Sequence, residues 1–243
     1  MFAEIISFVY VLLLWKYDKK HSASPVRLKQ IISISAPVFI PCTASAGIRS
    51  ALSAIENNLI PKGLMQYGAL KEQALSEYGI ISGIALPYVL FPSVLIIPFS
   101  QLIVTELAQE RTLGHKKNIR RIALRSLRAT IIYSLIMMLP FLVCPDVIVS
   151  MTGVCRESIF YLRVLAPLIP LSYLDSAVDG MLKGLDCQKS YFHINIIESV
   201  IRVIMAFTLI PFFGPAGITA IILFGELINV TLSLWKLLDV IKT

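Results

Sequence analysis

Long apolar stretches dominate this chain of 243 residues and decide what it can fold into. Six of them reach the roughly 20 residues that cross the hydrocarbon core of a bilayer, and a shorter one precedes them. Hydrophobic residues make up 56% of the chain and charged residues only 15%, which no water-soluble core could accommodate. The sequence therefore predicts an all-α, polytopic transmembrane helix bundle of about seven helices, at residues 2–15, 28–54, 80–104, 129–151, 159–181, 192–213 and 216–237.

Basic residues alternate between the predicted loops. Sixteen of the 22 Lys and Arg residues lie in every second loop, at 16–29, 111–128, 183–189 and 236–242. The intervening loops carry only Lys62, Lys71 and Arg156. By the positive-inside rule, the amino terminus is expected outside and the carboxyl terminus inside a bacterial cytoplasmic membrane. The basic cluster at 111–128 is thus interpreted as a topology signal that touches anionic lipid headgroups or, alternatively, as a dedicated regulatory or lipid site, and nucleic acid is not an expected partner.

A repeat links the two ends of the chain. The segment FAEIIS at 2–7 resembles FGELIN at 224–229, and each apolar run that follows closes on Trp-Lys, at 15–16 and 235–236. Both segments are predicted to cross in the same direction, which indicates parallel six-helix repeats. Residues 1–20 would then be the last helix of a truncated first lobe, and residues 21–243 a second six-helix lobe.

Several motifs resemble one family of membrane transporters. They are YGIISGIALP at 78–87, FPS at 91–93, TELA at 105–108, LAPL at 165–168, LKGLD at 182–186 and IPFFGPAG at 210–217. Together they resemble the stage V sporulation protein B group, polysaccharide flippases of the MATE-like (multidrug/oligosaccharidyl-lipid/polysaccharide exporter) superfamily.

The resemblance implies a fold and a function. Such proteins have two six-helix lobes around a central cavity, and they work by alternating access without a cofactor. The expected cargo is a lipid-linked oligosaccharide, or a polysaccharide or peptidoglycan precursor for the cell wall. A separate first-lobe polypeptide is an expected partner. An antiporter of drugs or organic cations remains an alternative, as does a membrane scaffold or partner subunit that does not transport.

Charged residues inside the spans are the candidate site, because each costs at least a few kcal/mol to insert. Arg202 and Glu226 are both expected on the order of 15 Å from a membrane boundary, on neighbouring helices. Glu198 lies one helical turn from Arg202. The three residues would either line a cavity, where they bind an anionic or sugar headgroup or couple transport to protons, or form a buried ion pair that locks the two helices.

Three more residues complete the candidate site. Asp175 and Asp179 lie one turn apart on the fifth span, which indicates a cation or proton site or a wetted vestibule. Arg49 is expected near the outer end of the second span, on the same face as Glu56, where it would bind cargo or reach to the interface. The three His residues are scattered, so no metal site is expected. No catalytic constellation indicates an enzyme.

Overall fold

The computed structural model describes residues 10, 28–68, 70–153 and 155–242, and in these residues all regular structure is helical. The predicted first span and the repeat at 2–7 lie outside the described residues, apart from Tyr10. The α-helices are α1 Leu28–Tyr67, α2 Lys71–Tyr78, α3 Leu86–Leu90, α4 Ile96–Thr112, α5 Lys116–Val143, α6 Pro145–Thr152, α7 Ser158–Leu165, α8 Leu168–Gly184, α9 Gln188–Phe213 and α10 Pro215–Lys242.

The chain divides into two compact units, residues 1–43 and residues 44–243. In the first unit the structure describes Tyr10 and the beginning of α1. The second unit holds the remainder of α1 and all the later helices, together with every contact discussed below. The predicted division into lobes at residues 1–20 and 21–243 stays a prediction.

Four helices among the described residues are long and apolar enough to cross a membrane, which confirms the helical membrane bundle. They are Glu72–Thr112, Lys116–Val143, Gln188–Phe213 and Pro215–Lys242. Large apolar side chains on their surfaces, such as Phe91, Phe207 and Trp235, are at least 70% exposed. Such exposure would be costly in water but is favourable in contact with lipid tails.

The first of these four helices changes its winding along its length. A π-helical segment, Gly79–Ala85, joins α2 to α3, and a 3-10 segment, Phe91–Leu95, joins α3 to α4. Pro87 and Pro92 lie in this region, and each lacks the N–H that an α-helix needs for its regular hydrogen bond. Tyr133 on α5 donates a hydrogen bond to the Pro92 carbonyl oxygen at 2.9 Å, which satisfies one of the groups that the altered winding leaves available.

At least four predicted spans have different bounds in the structure, and the third span, expected at 80–104, lies within a longer helix, Glu72–Thr112. The second was expected to end at residue 54, but α1 continues to Tyr67. The fourth was expected at 129–151, but α5 begins at Lys116 and ends at Val143, so most of the predicted basic loop is helical. The fifth is divided into α7 and α8 next to Pro167. Apolar length alone misplaced these ends, because polar turns extend helices beyond the apolar stretch.

Helix α8 lies at the centre of the packing. A Cβ on Gly180 would overlap Ser100 of α4, and a Cβ on Gly184 would lie 2.8 Å from the Val104 carbonyl oxygen. Ser100 also donates a hydrogen bond to the Ser176 carbonyl oxygen at 2.7 Å. Small residues thus let α4 and α8 approach closely, as is common between membrane helices. Because successive contacts advance along both helices together, α4 and α8 are parallel.

Candidate functional site

An ion-pair group formed by Glu56, Arg202 and Glu198 joins α1 to α9. The Nη2 and Nε atoms of Arg202 donate to Glu56 Oε1 at 2.7 and 3.1 Å, and its Nη1 atom lies 3.4 Å from Glu198 Oε1. Both carboxylates are buried, whereas about a quarter (26%) of the Arg202 side chain is exposed. One guanidinium therefore compensates two buried carboxylates, with the shorter hydrogen bonds made to Glu56.

Gly225 on α10 makes room for the Arg202 side chain. A Cβ at this position would lie 2.8 Å from Arg202 Cγ and 2.9 Å from Cδ. Any larger residue would push the aliphatic part of Arg202 away from α10 and disturb its reach to Glu56. The glycine thus fixes the path of the arginine between α9 and α10.

A second polar contact between α1 and α9 lies further along both helices. Arg49 Nη1 donates to Asn195 Oδ1 at 2.7 Å, and Asn195 Nδ2 donates to the Tyr191 carbonyl oxygen at 2.9 Å. Asn195 is itself buried. Its amide is oriented by its own helix, so that its oxygen is presented to Arg49.

The contacts between α1 and α9 share one register. Gly63 lies against Ile210, Glu56 pairs with Arg202, and Arg49 pairs with Asn195. On both helices the contacts recur every seven or eight residues, and they advance in the same direction. The two helices are therefore parallel, with one face of α1 directed to one face of α9. The second and sixth predicted spans, which lie in α1 and α9, are expected to cross the membrane in the same direction, so a parallel arrangement is consistent with the predicted topology.

The ion-pair group lies near the middle of the helices. Glu56, Arg202 and Glu226 are each eleven residues from the end of their helix, at Tyr67, Phe213 and Pro215 respectively. At 1.5 Å per residue this is about 16 Å, half the thickness of a hydrocarbon core. A Cβ on Gly214 would lie 2.7 Å from the Tyr67 ring, which confirms that these ends lie together. The expectation of equal depth for Arg202 and Glu226 is thus correct.

Two other expectations for these residues were wrong. If the group were a structural lock, Arg202 was expected to pair with Glu226, but its ion pairs within 4.0 Å are with Glu56 on α1 and with Glu198 on its own helix. The direction of each side chain around its helix decides the partner, and depth alone does not give it. Arg49 was expected near the outer end of its span. It lies eighteen residues before Tyr67, because α1 extends well beyond the apolar stretch.

Asp175 and Asp179 bring two more carboxylates to the group from α8. Each has a buried Oδ1 atom without a hydrogen-bond partner among the described residues. Asp179 interacts electrostatically with Tyr191 and Lys183, and Lys183 Nζ lies 4.2 Å from the centre of the Tyr191 ring. Unsatisfied buried carboxylate oxygens need a ligand, a proton or water to offset their loss of solvation.

The whole group carries more acidic than basic side chains. Its members interact electrostatically with one another, and they are contributed by α1, α8, α9 and α10. The five carboxylates are Glu56, Asp175, Asp179, Glu198 and Glu226, and the two guanidinium groups are Arg49 and Arg202. Lys183 adds a cation beside Asp179. We refer to these five carboxylates and two arginines as the polar cluster.

The geometry of the polar cluster limits the kind of ligand it suits. In the part of the chain that the structure describes, no three His, Cys, Asp or Glu side chains converge closely enough to hold a metal ion. The carboxylates are spread over several helices, which suits a larger cation or a proton. Beside Arg49 there is also a small cavity of about 120 Å³. Its lining consists of Ala46, Arg49, Tyr191, Phe192, Asn195 and Ile196.

Sequence reasoning missed several residues of this site. Glu56 was expected to share a face with Arg49, which is correct, but its pairing with Arg202 was not foreseen. Asn195 and Gly225 were not considered. The signal that could have revealed the pairing is the spacing of seven between Arg49 and Glu56, which is repeated between Asn195 and Arg202.

A helical membrane bundle with carboxylates and arginines brought together inside it is typical of one class of protein, the polytopic membrane transporters. A family model described as MatE matches residues 66–208, more than half of the chain. The chain therefore belongs to the MatE family, and it is a MATE-like membrane transporter in the general sense. No curated protein matches the chain, and no solved structure matches it.

The matched range covers only part of the polar cluster. Asp175, Asp179, Glu198 and Arg202 lie within residues 66–208, on α8 and α9. The residues that α1 and α10 contribute lie outside it. The family match thus supports the bundle and its central helices, while the contacts of α1 and α10 rest on the structure.

Proposed function

We propose that this chain forms one six-helix lobe of a MATE-like transporter that works by alternating access, and that the polar cluster lines its binding cavity. The observation that carries the proposal is the group of five carboxylates and two arginines inside the helical bundle, of which Glu56, Arg202 and Glu226 lie eleven residues from their helix ends. Each such residue is costly to place there, so a functional role is the default explanation. A first lobe, on this polypeptide or on a separate one, would complete the cavity, in a cell membrane with the amino terminus outside.

The surplus of carboxylates over arginines favours a cation as the ligand of this lobe. Arg202 is fully engaged by two carboxylates, so it compensates Glu56 and Glu198 and leaves the other carboxylates to Arg49 and Lys183. Asp175 and Asp179, with their unsatisfied oxygens, are the best candidates to bind an organic cation or a coupling proton. Antiport of organic cations thus has more support from the geometry than it had from the sequence.

A lipid-linked saccharide is the second candidate cargo, and Arg49 supports it. The Arg49 side chain uses one of its donors on Asn195 and faces the small cavity beside Tyr191 and Phe192. A guanidinium suits a phosphate group, and aromatic faces suit the apolar side of a sugar ring. This combination agrees with the resemblance to polysaccharide flippases.

Carbodiimide labelling of the purified chain tests the cation site without any partner. Dicyclohexylcarbodiimide reacts with protonated carboxyl groups in apolar surroundings, so we expect it to label Asp175 or Asp179. Tetraphenylphosphonium, an organic cation, should protect the labelled residue. Asp175→Asn with Asp179→Asn should abolish the label, while Asp146→Asn, an exposed matched control, should not. Labelling that is absent or unaffected by the cation would contradict a cation site.

Transport assays distinguish the two cargoes. Proteoliposomes with both lobes should export a fluorescent organic cation, and Asp175→Asn should abolish that export if a cation is the cargo. If a lipid-linked saccharide is the cargo, headgroup accessibility should instead depend on Arg49, with Arg163→Gln, an exposed arginine, as the matched control. Normal folding without either activity would favour the scaffold or partner subunit.

A further inference from the structure

A second cavity lies at the opposite end of the bundle from Tyr67. Four helix ends meet there: α4 ends at Thr112, α5 begins at Lys116, α8 ends at Gly184 and α10 ends at Lys242. The cavity has a volume of about 410 Å³, which is within the range of small-molecule sites. It lies where the candidate spans Glu72–Thr112 and Pro215–Lys242 end and where Lys116–Val143 begins.

The cavity is lined by basic side chains from three of these elements. They are Arg111, Lys116, Lys117, Arg120 and Lys242. Gly114, which has a φ of +73°, makes the tight turn that brings the basic end of α4 beside the basic start of α5. Five cations therefore surround one concave surface, four of them from residues 111–120 and the fifth, Lys242, from the end of α10.

The carboxylates described near the cavity leave part of this group without an ion pair. Asp186 pairs with Arg111 at 3.0 Å, in an exposed ion pair that is weak. Glu110 is engaged by His115 at 2.9 Å and by Asn118 at 3.0 Å. Among the described residues, Lys117, Arg120 and Lys242 have no ion-pair partner within 4.0 Å. A local excess of positive charge thus faces the cavity.

The floor of the cavity is apolar. Ile119, Leu185, Val240 and Ile241 contribute to its lining, and Leu185 is buried. An inorganic anion would use the cations alone and gain nothing from these side chains. A phosphate ester that carries acyl chains would use both surfaces, because its chains could lie along the apolar residues while its phosphate meets the cations.

We propose that this cavity is a binding site for the phosphate headgroup of an anionic membrane phospholipid, held by Lys117, Arg120 and Lys242 with the acyl chains against Val240 and Ile241. The site is separate from the polar cluster. It ties the beginning of α5 to the end of α10 through one lipid molecule.

Native mass spectrometry of the full chain in detergent tests the proposal. Phosphatidylglycerol or phosphatidylcholine with the same acyl chains is added, and the bound fraction is measured. We expect phosphatidylglycerol to be retained at least roughly tenfold better. Each Lys or Arg near a lipid surface contributes about fivefold, so the triple change Lys117→Gln, Arg120→Gln and Lys242→Gln should lower retention on the order of a hundredfold.

A matched control separates this site from a general surface charge. Arg121→Gln, Arg125→Gln and Arg128→Gln remove the same charge from α5 but do not line the cavity. This variant should retain phosphatidylglycerol within roughly threefold of the original chain, since its long-range contribution is small. Equal losses in both triple variants would overturn the proposal, and so would retention that neither variant changes. Size-exclusion elution confirms that both variants remain folded.

Soluble headgroups distinguish a lipid from free phosphate. Inorganic phosphate and glycerol phosphate are added as competitors to the chain loaded with phosphatidylglycerol. We expect both to displace the lipid poorly, because they lack the acyl chains that contact the apolar floor. Displacement by inorganic phosphate at the same concentration as the lipid would identify an anion site and refute the lipid assignment.

Discussion

The ion pair between Glu56 and Arg202 gives the sharpest prediction. Arg202→Ala leaves two buried carboxylates, Glu56 and Glu198, without their guanidinium. Breaking a buried pair in this way costs about 3–5 kcal/mol. Because a quarter of the Arg202 side chain is exposed, we expect the lower end, about 3 kcal/mol. For a chain of this size the midpoint of thermal unfolding should then fall by roughly 6–12 °C.

A second substitution added to Arg202→Ala identifies the ion-pair partner of Arg202. Adding Glu56→Gln to Arg202→Ala removes the carboxylate that makes the 2.7 Å contact, so stability should largely recover. Adding Glu226→Gln is the matched control. It removes a carboxylate of the same cluster that lies outside the ion pair, so little recovery is expected. Arg202→Lys should be intermediate, because it keeps the charge but loses the planar fork of donors.

Thermal unfolding of the purified chain in detergent, read beside its abundance in the membrane, measures these effects. Recovery with Glu226→Gln but not with Glu56→Gln would refute the observed pairing and restore the pairing that depth alone suggests. An unchanged midpoint for Arg202→Ala would refute the claim that the group is buried and stabilising. The arginine would then face a watered cavity, and its loss should reduce transport instead.

Three further predictions follow from the packing and the charges. Cysteine labelling from outside should reach a residue placed at Lys62 but not one at Lys117, and labelling at Lys117 would reverse the topology. Gly180→Leu should lower the unfolding midpoint by several degrees because the new side chain overlaps Ser100, whereas Gly83→Leu, with nothing within 4 Å of its Cβ, should be tolerated. The chain alone should show no headgroup flipping above empty liposomes, since one lobe cannot enclose the cavity; robust flipping would show that it assembles with itself.

The sequence was sufficient for the helical bundle but not for the helix ends. The lengths of the apolar stretches identified segments that overlap the helices of the described residues. It placed the start of the fourth span at residue 129, whereas α5 begins at Lys116. The reason is that the amphipathic turns at a membrane surface form helix with basic residues exposed, and hydropathy counts them as loop. Sequence cannot separate these turns from a loop by composition.

The candidate site shows a similar division. Distance along a helix gives depth, and it placed Arg202 and Glu226 correctly at one level. Rotation about the helix axis determines which side chains meet, and it depends on how all the helices pack. Sequence reasoning therefore predicted the equal depth of Arg202 and Glu226, but it gave Arg202 the wrong partner. The seven-residue spacing on α1 and α9 carried the missing information.

Two parts of α1 contact the rest of the bundle in different ways. Ile60 and Leu64 near the Tyr67 end are buried in the apolar core, and Gly63 fits closely against Ile210. From residue 56 back to Arg49 the described contacts with α9 are polar, while Ile48 and Ile55 are about half exposed. Lipid tails solvate apolar side chains as well as a protein interior does, so ion pairs and hydrogen bonds supply the attraction along this part of the helix. A ligand that competes for Arg202 or Arg49 would thus weaken the attachment of α1 where it binds, while the packed end near Tyr67 stays fixed.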